Sequence, residues 1–206
     1  MQRRLAWRAA LALLLGSVLG RNAMAQGMAQ RAALLVATPN LHGSMFERSV
    51  VVVGQAPDGN TIGLILNRPS DALLPPDLAG PGGGVQDARV FLGGPLAPQA
   101  FFALVEGSVA VDGAFPLADR IQLAAGSAAV RRLFSTQGAG RRKLFRGYAG
   151  WADGQLAQEI NGGFWSPRSL APDLLFDPAP EVMWERLTAT GRAVRTSPAS
   201  PRPPPV

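Results

Sequence analysis

The chain has no cysteine and only one histidine, His42, among its 206 residues. The absence of cysteine excludes disulfides, thiolate nucleophiles, and zinc or iron–sulfur sites built on cysteine ligands. A single histidine excludes any metal site that takes several histidines from one chain. Paired carboxylates at the spacing of metal ligands are also lacking, so we expect no metal ion and no cofactor.

Acidic residues are fewer than basic ones, at 14 against 20, and the formal net charge is +6. The excess comes from the two ends of the chain, since residues 1–25 and 192–206 contain seven arginines and no acid. Removing those seven from the 20 basic residues leaves 13 against 14 acidic ones. The net charge is therefore no evidence that the folded part of the chain binds nucleic acid.

The N-terminal apolar run, residues 9–20, is too short to span a bilayer. It follows a basic segment and precedes Ala23-Met24-Ala25, so residues 1–25 predict a signal peptide and a periplasmic or secreted protein. The alternative is translation from Met24 or Met28, which gives a cytoplasmic protein. At the other end, the proline- and arginine-rich residues 192–206 predict a disordered tail.

Export has a direct test in the N-terminus of the mature protein. Cleavage after Ala25 leaves Gln26 as the first residue. We expect N-terminal sequencing of protein recovered outside the inner membrane of the native host to begin at Gln26. Cytosolic protein beginning at Met24 or Met28 would establish the later start instead.

Short apolar runs separated by turn signals predict strands through the first two thirds of the chain. These runs are residues 34–37, 50–53, 62–66, 90–92, 101–105, 109–111, 121–123 and 144–149. Apolar residues at helical spacing predict helices at 127–134, 152–160 and 181–187, with Gly162 as a left-handed cap of the second and Gly191 ending the third. The order predicts an α+β protein with a curved, mostly antiparallel sheet.

Five sequence blocks carry a resemblance to a known family. In chain order they are LLVATP (34–39), FERSVVVV (46–53), IGLILNRP (62–69), VFLGGPL (90–96) and GYAGWADGQLAQEINGGFW (147–165). Together they resemble the YqgE/AlgH family, bacterial proteins without an established biochemical activity. The resemblance implies a domain over residues 26–191, with the sheet forming a partial barrel and helices packed against it.

Two blocks end in residues suited to binding. Asn67-Arg68 precedes Pro69, and the guanidinium fork would recognise a carboxylate or another anion. Alternatively, Asn67 closes a turn and Arg68 pairs with an acid such as Glu47. Gly93-Gly94 either offers backbone N–H groups to a ligand or permits a bend.

Two further blocks place charges beside aromatic residues. Gln155 and Glu159 lie one helical turn apart, and Trp151 and Trp165 are expected to flank them. The carboxylate of Glu159 acts as an acid or base, or it caps a neighbouring loop or pairs with an arginine. We expect one charge network on one side of the sheet, formed by Glu47, Arg48, Arg68 and Glu159.

Eleven residues form the candidate site, which serves either binding or structure. They are Phe46, Glu47, Arg48, Asn67, Arg68, Gly93, Gly94, Tyr148, Trp151, Gln155 and Glu159. No catalytic residue is assigned, because Ser49 and His42 lack the G-x-S-x-G context of a hydrolase nucleophile.

The leading hypothesis for function is a non-catalytic domain that binds a small ligand or a protein partner, in a regulatory role. The first alternative is an enzyme acting on a small anionic substrate in a cleft near Arg68, Gly94 and Glu159. The second is a nucleic-acid-binding regulator that uses a basic face between Arg131 and Arg146. The chain shows no helix-turn-helix pair with a basic recognition helix, which disfavours the second alternative.

Overall fold

The computed structural model describes residues 32–78, 89–107, 111–136 and 140–195. The predicted leader and the tail beyond residue 195 lie outside these ranges, as do the first two residues of the strand predicted at 109–111. None of the helices in the described ranges is long and apolar enough to cross a membrane.

Ten strands and four α-helices make up the described part of the chain. The strands are β1 (Ala33–Ala37), β2 (Val50–Gln55), β3 (Thr61–Ile65), β4 (Pro69–Leu73), β5 (Arg89–Leu92), β6 (Leu96–Glu106), β7 (Ala114–Ala118), β8 (Ile121–Ala125), β9 (Arg142–Trp151) and β10 (Trp165–Ser169). The helices are α1 (Ser127–Ser135), α2 (Gln155–Asn161), α3 (Pro172–Leu175) and α4 (Met183–Arg195).

The strands form one sheet in the order β10-β1-β2-β3-β9-β6-β8-β7, with every neighbouring pair antiparallel. Strand β9 pairs along one edge with β6. Its other edge pairs first with β5, in parallel, and then with β3. Strand β4 adds to β5. The result is a curled half-barrel with helices packed against it, which confirms the predicted α+β class and sheet.

Strand β2 shows how the sheet is buried on both faces. Val50 and Val52 belong to an inner apolar cluster with Phe145, whereas Val51 and Val53 belong to an outer cluster. Successive side chains of a strand point to opposite faces, so a strand covered on both sides is a continuous apolar run rather than an alternating one. Helix α1 covers a third cluster with Val130 and Leu133.

The structure corrects several element boundaries. Strands β4, β7 and β10 were not predicted, and each contains a proline, which weakens the sequence signal for a strand. Helix α4 does not end at Gly191 but continues to Arg195, so residues 192–195 of the predicted tail are helical. Interior glycine costs a helix only about 1 kcal/mol.

The end of α2 is also displaced by one residue from its predicted position. Gly162 keeps a right-handed conformation, and the left-handed residue is Gly163, with φ of 76°. Gly163 donates its N–H to the carbonyl of Ile160, and Phe164 donates to that of Glu159. This is the Schellman pattern, which satisfies carbonyls at the helix end and directs the chain into β10.

Candidate functional site

The carboxylate of Glu159, in α2, accepts hydrogen bonds from the strand that precedes this helix and from the strand that follows it. Trp151, the last residue of β9, and Trp165, the first of β10, donate their indole N–H groups to Glu159 Oε2 at 2.9 and 2.8 Å. Gln155 donates its side-chain amide to Oε1 at 2.9 Å. The half-buried carboxylate therefore ties α2 to two strands.

Phe46 completes the aromatic side of this site. Its ring centroid lies 6.4 Å from that of Trp151 and 5.6 Å from that of Trp165. The two indole rings are 6.1 Å apart and nearly perpendicular, a favourable geometry for aromatic pairs. The prediction that tryptophans flank Gln155 and Glu159 is confirmed, and we call these five residues the indole–carboxylate cluster.

Removing the shared acceptor should destabilise the protein moderately. Glu159→Ala leaves two largely buried indole N–H groups without a partner, and we expect a loss of about 2 kcal/mol in the free energy of unfolding. Glu159→Gln keeps one acceptor oxygen and should lose about half as much. Urea denaturation followed by tryptophan fluorescence measures both. An unchanged midpoint for the alanine variant would contradict the proposed structural role.

The loop between β1 and β2 holds Glu47 in a separate set of bonds. Glu47 accepts the backbone N–H of Gly43 at 2.9 Å, and its Oε1 lies 2.5 Å from Nδ1 of His42. Both contacts lower the pKa of Glu47. The hydroxyl of Ser49 is buried and has no hydrogen-bond partner within the described ranges. His42 is therefore paired with a carboxylate and not with a serine.

Asn67 and Arg68 bind the same loop through its backbone. The side chain of Asn67 accepts the N–H of Val50 and donates to the carbonyl of Arg48, both at 2.8 Å. It therefore continues the pairing of β2 with β3 by one step, as the turn-closing interpretation predicted. Arg68 donates to the backbone carbonyl of Glu47 at 3.1 Å and not to its carboxylate.

The predicted charge network is wrong. Arg48 forms an ion pair with Glu185 of α4, and its guanidinium lies 5.2 Å from the centre of the Trp184 ring. Arg68 makes no ion pair with any residue that the structure describes. The carboxylate of Glu159 takes indole and amide donors instead of arginines. These charges therefore lie in separate local contacts.

Gly93 and Gly94 lie against β9 at van der Waals distance. A Cβ atom on Gly94 would lie 2.3–2.4 Å from backbone atoms of residues 148–149, and one on Gly147 would lie 2.4 Å from the carbonyl oxygen of Gly94. The N–H of Gly93 donates to the carbonyl of Arg146 at 2.8 Å. The two glycines permit close backbone packing, and the N–H of Gly93 is already bonded within the chain.

Tyr148 lies apart from the indole–carboxylate cluster although it is three residues from Trp151. Its ring packs against Phe102 at 5.2 Å between centroids, beside the inner cluster, whereas Trp151 belongs to the outer one. The structure thus brings together Phe46, Trp151, Gln155 and Glu159, but it does not unite all eleven candidates.

Lys143, which is only 6% exposed, is a buried cation that is absent from the predicted site. Its Nζ donates to the carbonyl oxygens of Leu66 at 3.0 Å and Leu175 at 3.3 Å, and lies 4.1 Å from the centre of the Phe91 ring. Burial lowers the pKa of Lys143 to about 8. Its position two residues before Phe145 on β9, and hence on the same face, is the sequence signal that could have revealed the burial.

Lys143 lines a cleft with a volume of about 330 Å³, here called the Lys143 cleft. The charged residues of its wall are Arg89, Arg141, Arg142, Lys143 and Asp177. The arginines have partners of their own. Arg89 pairs with Glu181 at 3.0 Å, and Arg141 pairs with Glu106 at 2.7 Å and Asp173 at 2.9 Å. No described carboxylate lies within 4.0 Å of Lys143 Nζ.

The buried amine predicts that stability rises with pH above about 8. Below that value the folded and unfolded chains both hold the proton; above it the folded chain releases the proton, while the unfolded chain keeps it up to about 10.5. Wild type should gain about 3 kcal/mol across this window relative to Lys143→Met. Urea denaturation of both proteins between pH 7 and 10 measures the difference, and parallel pH profiles would contradict the burial.

The fold defines a class of protein: an α+β domain with a curled, largely antiparallel half-barrel sheet. The solution structure of the AlgH protein from Pseudomonas aeruginosa has the same fold, with a TM-score of 0.61 and 23% identity, over 83% of this chain and 95% of that one. A crystal structure of a Corynebacterium diphtheriae protein matches with a TM-score of 0.60 and 25% identity, over 78% of this chain and 86% of that one.

Sequence comparison then identifies the family. The model of the AlgH-like family DUF179 matches residues 34–192. A UPF0301 protein of Thermobifida fusca is 37% identical over 168 residues, which are 75% of this chain and 83% of that protein. One from Shewanella denitrificans is 29% identical over 160 residues, 75% and 87% of the two chains. The chain belongs to the AlgH-like family, whose function is unknown.

Proposed function

We propose that the chain is a non-catalytic ligand-binding domain and that its ligand is a small anion held in the Lys143 cleft. The observation that carries this proposal is the buried ammonium group of Lys143, which has no carboxylate within ion-pair distance among the described residues. A buried charge without a counter-charge is costly. Asp177 and Glu181 raise the pKa of Lys143 from beyond ion-pair distance without offsetting the effect of burial, and a carboxylate or phosphate bound in the cleft would supply a counter-charge in direct contact.

The size and chemistry of the cleft suit such a ligand. Its volume of about 330 Å³ lies at the lower end of the range for ligand pockets, about 300–1,000 Å³. Four cationic side chains and one acid line it among the described residues, and Phe91 and Phe176 add apolar surface. Planar guanidinium groups bind carboxylates and phosphates through paired hydrogen bonds.

Binding is favoured over catalysis because the residues expected to act on a substrate are occupied within the chain. Glu159 accepts indole and amide donors, and Arg68 donates to a loop carbonyl. The contacts of the basic face also weigh against nucleic acid, since Arg131 and Arg132 pair with acids at 3.8 and 3.1 Å and Lys143 is buried.

Isothermal titration calorimetry of the full chain with malonate and with inorganic phosphate tests the proposal. We expect an anion to bind, and Lys143→Met to weaken its binding by about 10- to 100-fold, because a hydrogen bond from a charged group contributes about 1.5–3 kcal/mol. The matched control is Arg132→Met, which removes an exposed cation outside the cleft and should bind as wild type does.

Two results would overturn the proposal. One is the absence of binding by both anions to the folded wild-type chain. The other is equal affinity in wild type and Lys143→Met, which would place the bound anion elsewhere on the molecule.

A further inference from the structure

We propose that Lys143 binds its ligand covalently, by forming a reversible imine with a small carbonyl compound that carries a carboxylate. This inference rests on the proposed function, because the Lys143 cleft must first bind the anionic group of the ligand. It names the chemical class of that ligand and the atom, Lys143 Nζ, that reacts with it.

Lys143 is the single lysine in a chain that has 19 arginines. An arginine keeps its proton at physiological pH, whereas a buried lysine loses it readily. With a pKa of about 8, the amine is neutral in about 10% of molecules at pH 7, roughly 300-fold more often than a lysine with the ordinary pKa of 10.5. Desolvation activates a lysine as a nucleophile towards carbonyl groups, and at Lys143 it outweighs the opposing effect of Asp177 and Glu181 on the pKa.

The hydrogen bonds at Nζ suit the neutral amine. A neutral amine has two N–H bonds and one lone pair, and the carbonyls of Leu66 and Leu175, at 3.0 and 3.3 Å, match its two donors. The third N–H of the charged form has only the face of Phe91, whose centre is 4.1 Å away. Both donors of the neutral form are thus satisfied, and its lone pair takes the third position, beside the ring of Phe91, which lines the Lys143 cleft.

The reaction balances without an oxidant, a reductant or a second substrate. The lone pair of Nζ forms a bond to the carbonyl carbon of the ligand. The two hydrogens of the amine then leave with the carbonyl oxygen as water, and a C=N bond replaces the C=O bond. Addition of water reverses both changes and releases the ligand unchanged.

Arg89 and Arg141 are the residues that can receive the carboxylate of the ligand. Arg89 pairs with Glu181, and both side chains are 55% exposed; the second partner of Arg141, Asp173, is 92% exposed. Exposed ion pairs of this kind contribute at most about 1 kcal/mol. A ligand carboxylate in the cleft can therefore replace Glu181 or Asp173 at little cost.

Reductive trapping with glyoxylate and cyanoborohydride at pH 7 tests the inference on the full chain. The only other primary amine of the chain is its N-terminus, which serves as an internal reference. Peptide mass spectrometry gives the ratio of carboxymethyl label at Lys143 to label at the N-terminus. We expect this ratio to be at least about tenfold higher in the folded protein than in urea, because unfolding returns Lys143 to an ordinary pKa.

Competition by malonate, and the labelling of Arg89→Met by two different aldehydes, distinguish reaction in the Lys143 cleft from non-specific labelling of an amine. Malonate should suppress the label at Lys143 and leave the N-terminal label unchanged. Arg89→Met should reduce labelling of Lys143 by glyoxylate but not by the uncharged aldehyde propanal. Equal effects on both aldehydes would overturn the assignment of the carboxylate to Arg89.

If Lys143 is labelled in urea but not in the folded protein, the inference is overturned, because a lysine that reagents cannot reach in the folded protein reacts only after unfolding. If malonate binds in calorimetry and no imine is trapped, the covalent step alone fails. If no imine is trapped and neither malonate nor phosphate binds, both the covalent step and the proposed function fail.

Discussion

Replacing Trp151 with alanine should lower the free energy of unfolding by about 3–5 kcal/mol. The side chain is only 5% exposed and packs in the outer cluster beside Phe46 and Trp165. Its removal leaves a large cavity between the sheet and α2, and it also removes one of the donors to Glu159. Urea denaturation, with the midpoint checked by calorimetry, measures the loss.

Trp151→Phe is the matched control because it keeps an aromatic ring and removes only the indole N–H and part of the volume. We expect it to lose about 1–2 kcal/mol, less than half the effect of alanine. If the alanine variant melts at the wild-type temperature, Trp151 is not part of the core, and the cluster would have to be considered as an exposed binding surface.

Replacing Gly94 with alanine should lower the free energy of unfolding by about 4 kcal/mol or more, at least as much as Trp151→Ala does. The added Cβ would lie 2.3–2.4 Å from backbone atoms of β9, which cannot move aside as a flexible side chain could. The two segments would have to separate at the point where β9 passes from β5 to β3. The expected result is a large drop in midpoint, or no soluble folded protein.

Gly59→Ala is the control for this substitution. Gly59 also has a positive φ, of 86°, but no atom lies within 4 Å of the added Cβ. Gly59→Ala should lower the free energy of unfolding only by the cost of the left-handed backbone conformation, about 1–2 kcal/mol. Equal losses at both positions would show that conformation, and not the close approach to β9, explains the requirement for glycine at Gly94.

The elements predicted best from sequence were those whose signal is local. The apolar runs that became β1, β2 and β3 are buried on both faces, so their composition alone indicated strands. Strand β10 contains Pro167 and is largely polar, and it exists because β1 offers it a partner. Such pairing across more than a hundred residues has no local signal.

In the candidate site, too, contacts between residues that are near in sequence were predicted, and contacts between distant residues were not. Trp151, Gln155 and Glu159 lie close together in sequence, so their convergence could be expected from strand and helix geometry. The partner of Arg48 is Glu185, in a helix far along the chain, and was not foreseen. Lys143 was grouped with the basic face between Arg131 and Arg146 because its neighbours in sequence are arginines, although alternation along β9 places it with Phe145.

The pairing of β1 with β10 also determines when the chain can fold during its synthesis. Residues 33–37 leave the ribosome among the first of the domain, yet one of their two partners, residues 165–169, is made among the last. Until then one edge of β1 remains open, and open edges template aggregation. The half-barrel should therefore close only when nearly the whole domain has emerged, and a nascent chain stalled before β10 is the species that most needs a chaperone.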